Sequence, residues 1–189
     1  TLGTGFGSAF LTTGVPVIEG ERVPEKGYVY NIPYKNGIAD DCFSTRWFVG
    51  EYKRRTGKVF AGVKEIADCV NEDEDAKLLF EDFGHNLAIF LLPLLTTFDA
   101  ECLVVGGNIS GAYSLFGNAF QDDFIAKCIQ SKCIFFFDNK AFSKICFNIY
   151  GNIKNAVKCI HRYHDNIFVL VSTYDIIKYI SLNTDLENS

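Results

Sequence analysis

Two glycine-rich turns carry residue types that could handle a nucleotide. The first is Leu2-Gly3-Thr4-Gly5-Phe6-Gly7-Ser8. Glycines at alternate positions let backbone N–H groups approach a polyphosphate without side-chain obstruction, and the Thr4 hydroxyl can add a hydrogen bond. No Gly-Lys-Ser/Thr follows and no helix is expected there, so this is not a P-loop. The second is Leu103-Val104-Val105-Gly106-Gly107-Asn108-Ile109-Ser110. An apolar strand ending in paired glycines lets a flat adenine lie against backbone, at the carboxyl end of a strand where α/β sheets bind ligands. Taken alone, each motif is more often a plain turn. Two acids between them, Glu25 and Asp40, could accept hydroxyl hydrogen bonds. The plain reading of Glu25 is a solvated loop position; for Asp40, next to Asp41 and before a helical face, a helix N-cap explains the acid as well as a ligand role does.

The elements that would position these groups are legible in outline. Strand-like runs at Ser8 to Thr12, Val15 to Ile18 and Tyr28 to Ile32 are broken by Pro24, Pro33 and the Lys35-Asn36-Gly37 turn. From about Asp40 the spacing of Phe43, Trp47, Phe48 and Tyr52 predicts a helix that ends near Gly57. Val63 to Val70 reads as a short helix. The acids Glu72 to Asp75 precede a longer one through Leu78, Leu79, Phe83, Leu87 and Phe90, apolar nearly all round in its second half and therefore expected to be buried. Glu101 to Val105 reads as a parallel strand delivering the Gly106-Gly107 turn.

Order and spacing join these features. A phosphate-type hairpin, an acidic sugar-type segment, a long buried helix and an adenosine-type Gly-Gly turn resemble the second half of ROK (repressor, open reading frame, kinase) sugar kinases. That family is a branch of the sugar kinase, Hsp70 and actin superfamily. The resemblance covers residues 1 to about 120. It includes Glu65-Ile66-Ala67, the acidic helix start before Ala76, the Phe83-Gly84 pair and the run Phe98 to Gly107, and in detail it is most similar to Bacteroidetes variants. It implies an α/β fold: an actin-like (ribonuclease H-like) lobe with a mixed sheet flanked by helices, incomplete in this chain. Residues 1–120 would form the nucleotide and sugar lobe, and 121–189 a divergent tail.

The same resemblance implies ATP-dependent phosphorylation of a hexose or amino-sugar hydroxyl, with ATP and Mg²⁺ as cofactors in the complete protein. Gly3, Thr4, Gly5 and Gly7 would hold phosphates, and Gly106, Gly107 and Asn108 would flank adenosine. Glu25-Lys26-Gly27-Tyr28 is similar to the family's Glu-x-Gly-His, which makes Glu25, Tyr28 and Asp40 the sugar-binding set, with Ser44 four residues after Asp40 as in the family. Tyr28 stands where the family has His. Tyr30 to Ala39 lacks the cysteines of the family's zinc motif, so no zinc is expected there. The family's Asp-x-Gly-x-Thr turn and catalytic Asp have no counterpart, so no catalytic residue is assigned and the chain alone is expected to be inactive. Two alternatives stand: part of a sugar-sensing ROK-type regulator, or the inactive product of a disrupted gene.

Composition narrows the classes. The 189 residues are 48% hydrophobic and 22% charged, with net charge -5, which fits one globular domain and disfavours nucleic acid as a partner. Seven cysteines, at 42, 69, 102, 128, 133, 146 and 159, are odd in number and scattered, as expected of reduced cytoplasmic thiols. The apolar run Leu87 to Leu95 is interrupted by Pro93, so no membrane span and a soluble protein are expected. The complete protein could form a homodimer, although the residues do not name its oligomeric state. The absence of Met and the opening Thr1-Leu2-Gly3 suggest a fragment. After Phe120 one glycine, no proline and many Phe, Tyr, Ile, Lys and Asn fit either a divergent helical segment or translation out of frame, though Asp165 to Ile180 still reads as strand then helix. Cys128, Cys133, Cys146, Cys159, His161 and His164 lack zinc-finger spacing and are read as incidental.

Overall fold

A computed structural model describes residues 2–127, 134–137 and 166–170, and side chains within 2–124. The fold is mixed α/β. Strands β1 (Ala9–Thr12) and β2 (Val15–Pro16) form a tight hairpin, whose turn places Thr13 and Gly14 at positive φ. A 3-10 turn at Glu25–Gly27 follows. A small second hairpin pairs β3 (Pro33–Tyr34) with β4 (Gly37–Ile38) across the expected Lys35 to Gly37 turn. Helices α1 (Ala39–Cys42), α2 (Thr45–Thr56), α3 (Val63–Asp68) and α4 (Glu74–Phe98) lead to β5 (Cys102–Val105). A 3-10 turn at Asn108–Ala112 then enters α5 (Tyr113–Lys127). Strands β6 (Ile134–Phe137) and β7 (Asn166–Leu170) complete a sheet of order β2-β1-β7-β5-β6. β5 runs parallel to both neighbours, and β1 is antiparallel to β7.

Three expectations change. Tyr28 to Ile32 is not a strand: Gly27 sits at positive φ and the chain bends there, with Tyr28 N–H donating to the Glu25 carbonyl. The helix expected from Asp40 is two helices, separated at Phe43 and Ser44, because extended φ/ψ at Ser44 restarts the chain as α2. Pro93 does not interrupt α4. Proline frees the carbonyl of Ile89 one turn earlier, but Ile89 and Pro93 lie on the exposed side, where such a group can turn to solvent, while Phe90, Leu91, Leu95 and Phe98 bury the opposite side. Helix α4 is consequently long and apolar enough to cross a membrane, yet half of its apolar window is buried within the fold, the pattern of a core helix. The strand portion of Asp165 to Ile180 is present as β7; its second half lies outside the described residues, as do Cys128, Cys133, Cys146, Cys159, His161 and His164.

Aromatic rings fill the core. Phe43 lies 5.1 Å from both Phe6 and Phe90, and Phe83 packs on Phe48 at 4.7 Å and on Phe116 at 5.2 Å. These contacts join the first glycine turn, α2, α4 and α5 in one cluster. Gly84 sets the approach of α4 to α5: a Cβ there would sit 2.4 Å from the Phe116 carbonyl oxygen and 3.0 Å from the Phe120 nitrogen. Arg22 donates to the carbonyl of Phe98 and lies over its ring, securing the end of α4.

Charge fixes the helix ends. Asp73 caps α4 by accepting from Ala76 N–H, and also accepts from Tyr52 Oη at 2.8 Å and Lys58 Nζ at 2.8 Å. Glu51 receives Arg54 and Arg55, and Arg55 reaches Asp82 on α4 at 2.6 Å. Hydrogen bonds from Arg54, then Arg55, hold the Glu51 carboxyl down to about 2, and those from Lys58 and Tyr52 hold Asp73 down to about 2.

Two measurements check this packing. Gly84→Ala should lower thermal stability by about 1–3 kcal/mol, as overpacking does, because the obstructing atoms are backbone. Gly50→Ala, in α2 with open space around it, should instead raise it by about 0.5–1 kcal/mol. The depressed carboxyls of Glu51 and Asp73 contribute stability that is complete above their unfolded values and lost as pH falls toward about 2. Denaturant titrations at descending pH should show that loss beginning near about pH 5, and Glu51→Gln should flatten it.

Candidate functional site

The two glycine turns meet through the backbone of Leu2. Its N–H donates to the Gly106 carbonyl at 2.9 Å, and its carbonyl accepts from Ile109 N–H at 2.9 Å. The first turn doubles back so that Leu2 bridges Phe6, and both side chains are buried. Thr4 is exposed at the tip, while Gly5 and Gly7 are partly covered. The second turn ends β5, which is buried along its whole length. Gly107 has φ 106° and ψ 174°, a conformation open in practice only to glycine. Gly107 and Asn108 are exposed; Gly106 is buried. Ser110 folds its hydroxyl back onto the Gly107 carbonyl at 2.7 Å, closing the turn.

The first turn is also held from the α1–α2 corner. Thr45 donates to the Gly3 carbonyl through its backbone N–H at 2.7 Å and its hydroxyl at 3.0 Å. Asp40 Oδ1 accepts from Phe6 N–H at 2.6 Å, and Asp40 Oδ2 meets Arg46 Nη2 at 2.6 Å. Asp40 N–H in turn donates to the Tyr30 carbonyl at 2.9 Å. Buried Ser8 ties in the next segment: its hydroxyl donates to the Gly27 carbonyl at 2.7 Å and accepts from Val29 N–H at 3.1 Å. Tyr28 and Tyr30 are half-exposed with ring centroids 5.6 Å apart.

Gly3, Thr4, Gly5 and Gly7 thus share one turn, directly bonded to the turn of Gly106, Gly107 and Asn108, with Asp40 against Phe6 between Gly5 and Gly7. Tyr28 is linked to Asp40 through Tyr30. Glu25 is exposed, one 3-10 turn before Tyr28, and no hydrogen bond or ion pair joins its carboxylate to Asp40. Ser44 is buried and its hydroxyl makes no hydrogen bond. Burial pushes the Cys42 thiol up, the opposite of what a nucleophilic cysteine needs. Among the described residues, no cluster of three or more His, Cys, Asp or Glu could hold a metal ion. Thr45 and Arg46 were not singled out by sequence, and Ser8 and Ser110 stood in the two motifs without an assigned role. Ser110 carried a local signal, a hydroxyl three residues after a glycine turn; Arg46, which acts from a different element, carried none.

A model of the ROK family matches residues 1–143. The chain belongs to the ROK family. The match extends past residue 120, where the sequence resemblance was expected to end. Among solved structures, a glucokinase from Parabacteroides distasonis is 28% identical with a TM-score of 0.55, over 67% of this chain and 38% of that one. A Cytophaga hutchinsonii protein assigned as a sugar kinase is 18% identical with a TM-score of 0.60, over 71% of this chain and 50% of that one, and supports the fold alone. This ROK chain has the actin-like ATPase fold of those sugar kinases and spans half of their length or less. No curated protein matches it.

Ser8 gives a direct check on how the site is held. Ser8→Ala strips two backbone groups of their partner, and leaving buried polar groups unsatisfied should cost about 1–3 kcal/mol in denaturant unfolding. Ser8→Thr, which keeps the hydroxyl, should cost less.

Proposed function

We propose that this chain supplies the nucleotide-binding wall and part of the sugar-binding wall of an ATP-dependent kinase acting on a hexose or amino-sugar hydroxyl. The observation that supports the reading is the pairing of Leu2 with Gly106 and Ile109, which bonds the first glycine turn directly to the second. Gly3, Thr4, Gly5 and Gly7 would face the phosphates. Phe6 N–H, taken by Asp40, would not. Gly106, Gly107 and Asn108 would border adenosine, and Glu25, Tyr28 and Asp40 would face the sugar. Mg²⁺ would arrive on the nucleotide, since it is usually held by phosphate oxygens, water and one or two carboxylates. The role of these residues is to bind and orient. Residues 1–120 would act as this lobe, and the base that takes the sugar proton would come from outside it. The family match and the Parabacteroides distasonis glucokinase neighbour support the class of reaction.

The test is calorimetry with ATP, adenosine and hexoses. ATP should bind in the millimolar range, about 4 kcal/mol of free energy, because one wall leaves the phosphates in water. Thr4→Val, an exposed change with little effect on folding, should weaken ATP a few-fold, about the worth of one hydrogen bond, and leave adenosine unchanged. Equal losses of both would remove the phosphate role from this turn. Sugar binding with no nucleotide binding would transfer the reading to a sugar-sensing regulator.

A further inference from the structure

Asp40 sits where the proposed sugar and phosphate sides meet, and both of its oxygens are engaged. Oδ1 accepts from Phe6 N–H at 2.6 Å and Oδ2 meets Arg46 at 2.6 Å. The carboxylate is largely covered, with 18% of its side chain exposed, while Arg46 is 65% exposed. Gly5 permits this approach: a Cβ there would lie 3.2 Å from Oδ1. Leu2 and Gly3 are anchored to the β5 turn and to Thr45, so Asp40 grips the returning arm of the same turn. A lone carboxylate beside a phosphate-type turn would repel the ligand. Arg46 offsets that charge, with Asp41 a more distant partner at 3.9 Å.

We propose that Asp40 and Arg46 are a positioning pair for the first glycine turn, Asp40 fixing it through Phe6 N–H and Arg46 orienting and neutralising Asp40. The nucleotide consequence rests on the function proposed above; the positioning itself does not. A carboxylate accepts about four hydrogen bonds, so Asp40 retains capacity for a sugar hydroxyl while holding the turn. Occupancy on the sugar side then acts on the phosphate side through one carboxylate.

The experiment is amide hydrogen exchange by NMR on the 189-residue chain, alongside ATP and adenosine titrations. In Asp40→Ala the Phe6 amide should exchange about tenfold faster, the loss of one hydrogen bond to a charged acceptor, with the Leu2 and Thr45 amides unchanged. Asp40→Asn, which keeps an acceptor at Oδ1, should restore most of the protection. Arg46→Gln should speed Phe6 exchange by a smaller factor without moving Tm, since exposed ion pairs contribute little to stability, and it carries the test if Asp40→Ala does not fold. Unchanged Phe6 exchange in Asp40→Ala, or in Arg46→Gln where that variant stands alone, overturns the pair. Both variants should weaken ATP more than adenosine; equal weakening overturns the link to phosphate. If the unaltered chain binds no ATP, the proposed function fails and the exchange rates still decide the positioning role.

Discussion

The backbone of Leu2 is the constraint on which the site depends. With its N–H on Gly106 and its carbonyl on Ile109, one residue closes a two-point ladder between segments about a hundred positions apart. Such a ladder is strong only where water is excluded, and Leu2, Gly106 and Ile109 are all buried. The exposed tips of the two turns, Thr4 on one side and Gly107 with Asn108 on the other, are therefore set by buried backbone. Their relative placement cannot drift without exposing unpaired peptide groups.

The aromatic core transmits this order outward. Phe6, on the returning arm of the first turn, packs on Phe43 at 5.1 Å and on Phe90 at 5.8 Å, so the turn is an extension of the α4 core and not a loose surface loop. Tyr34 joins the same cluster, 5.3 Å from Phe43 and 5.2 Å from Phe90, while its hydroxyl reaches Asn86 on α4. Burial raises the Tyr34 phenol further above its ordinary range, which keeps it neutral and a hydrogen-bond donor. Helix α4 thereby supports the candidate sugar side and the candidate phosphate side with one buried face. Close packing makes such a support stiff, since interiors tolerate little change in volume.

Acidic groups divide by partner. Asp73 and Glu51 are held by cations and hydrogen bonds on the helix scaffold, far in sequence from the turns. Asp40 is held at the turn itself, between a peptide N–H and a guanidinium. Glu25 has no such partner and stands exposed. Of the two acids that resemble sugar-binding carboxylates, Asp40 is built into the framework and Glu25 stands exposed outside it.

The sequence by itself determined the family, the α/β class and the two glycine motifs, because steric freedom at Gly3, Gly5, Gly106 and Gly107 is a local property written in residue type. It also determined the acidic start of α4 and the strand that delivers the second turn, since caps and apolar runs act over a few residues. Tertiary structure decided what lies across long separations. Pro93 was tolerated because its side of α4 faces outward, a fact invisible in the run Leu87 to Leu95. The segment after Gly27 bent away from a strand because that glycine adopts positive φ, and the helix from Ala39 broke at Ser44, whose neighbour Thr45 binds the first turn. Asp40 read equally as a ligand-facing acid or a helix cap; only the folded chain gave it Phe6 and Arg46 as partners. Local propensity fixes which conformations a segment can adopt, whereas a hydrogen bond between residues 6 and 40 exists only once the core has brought their two segments into contact, Phe6 against Phe43.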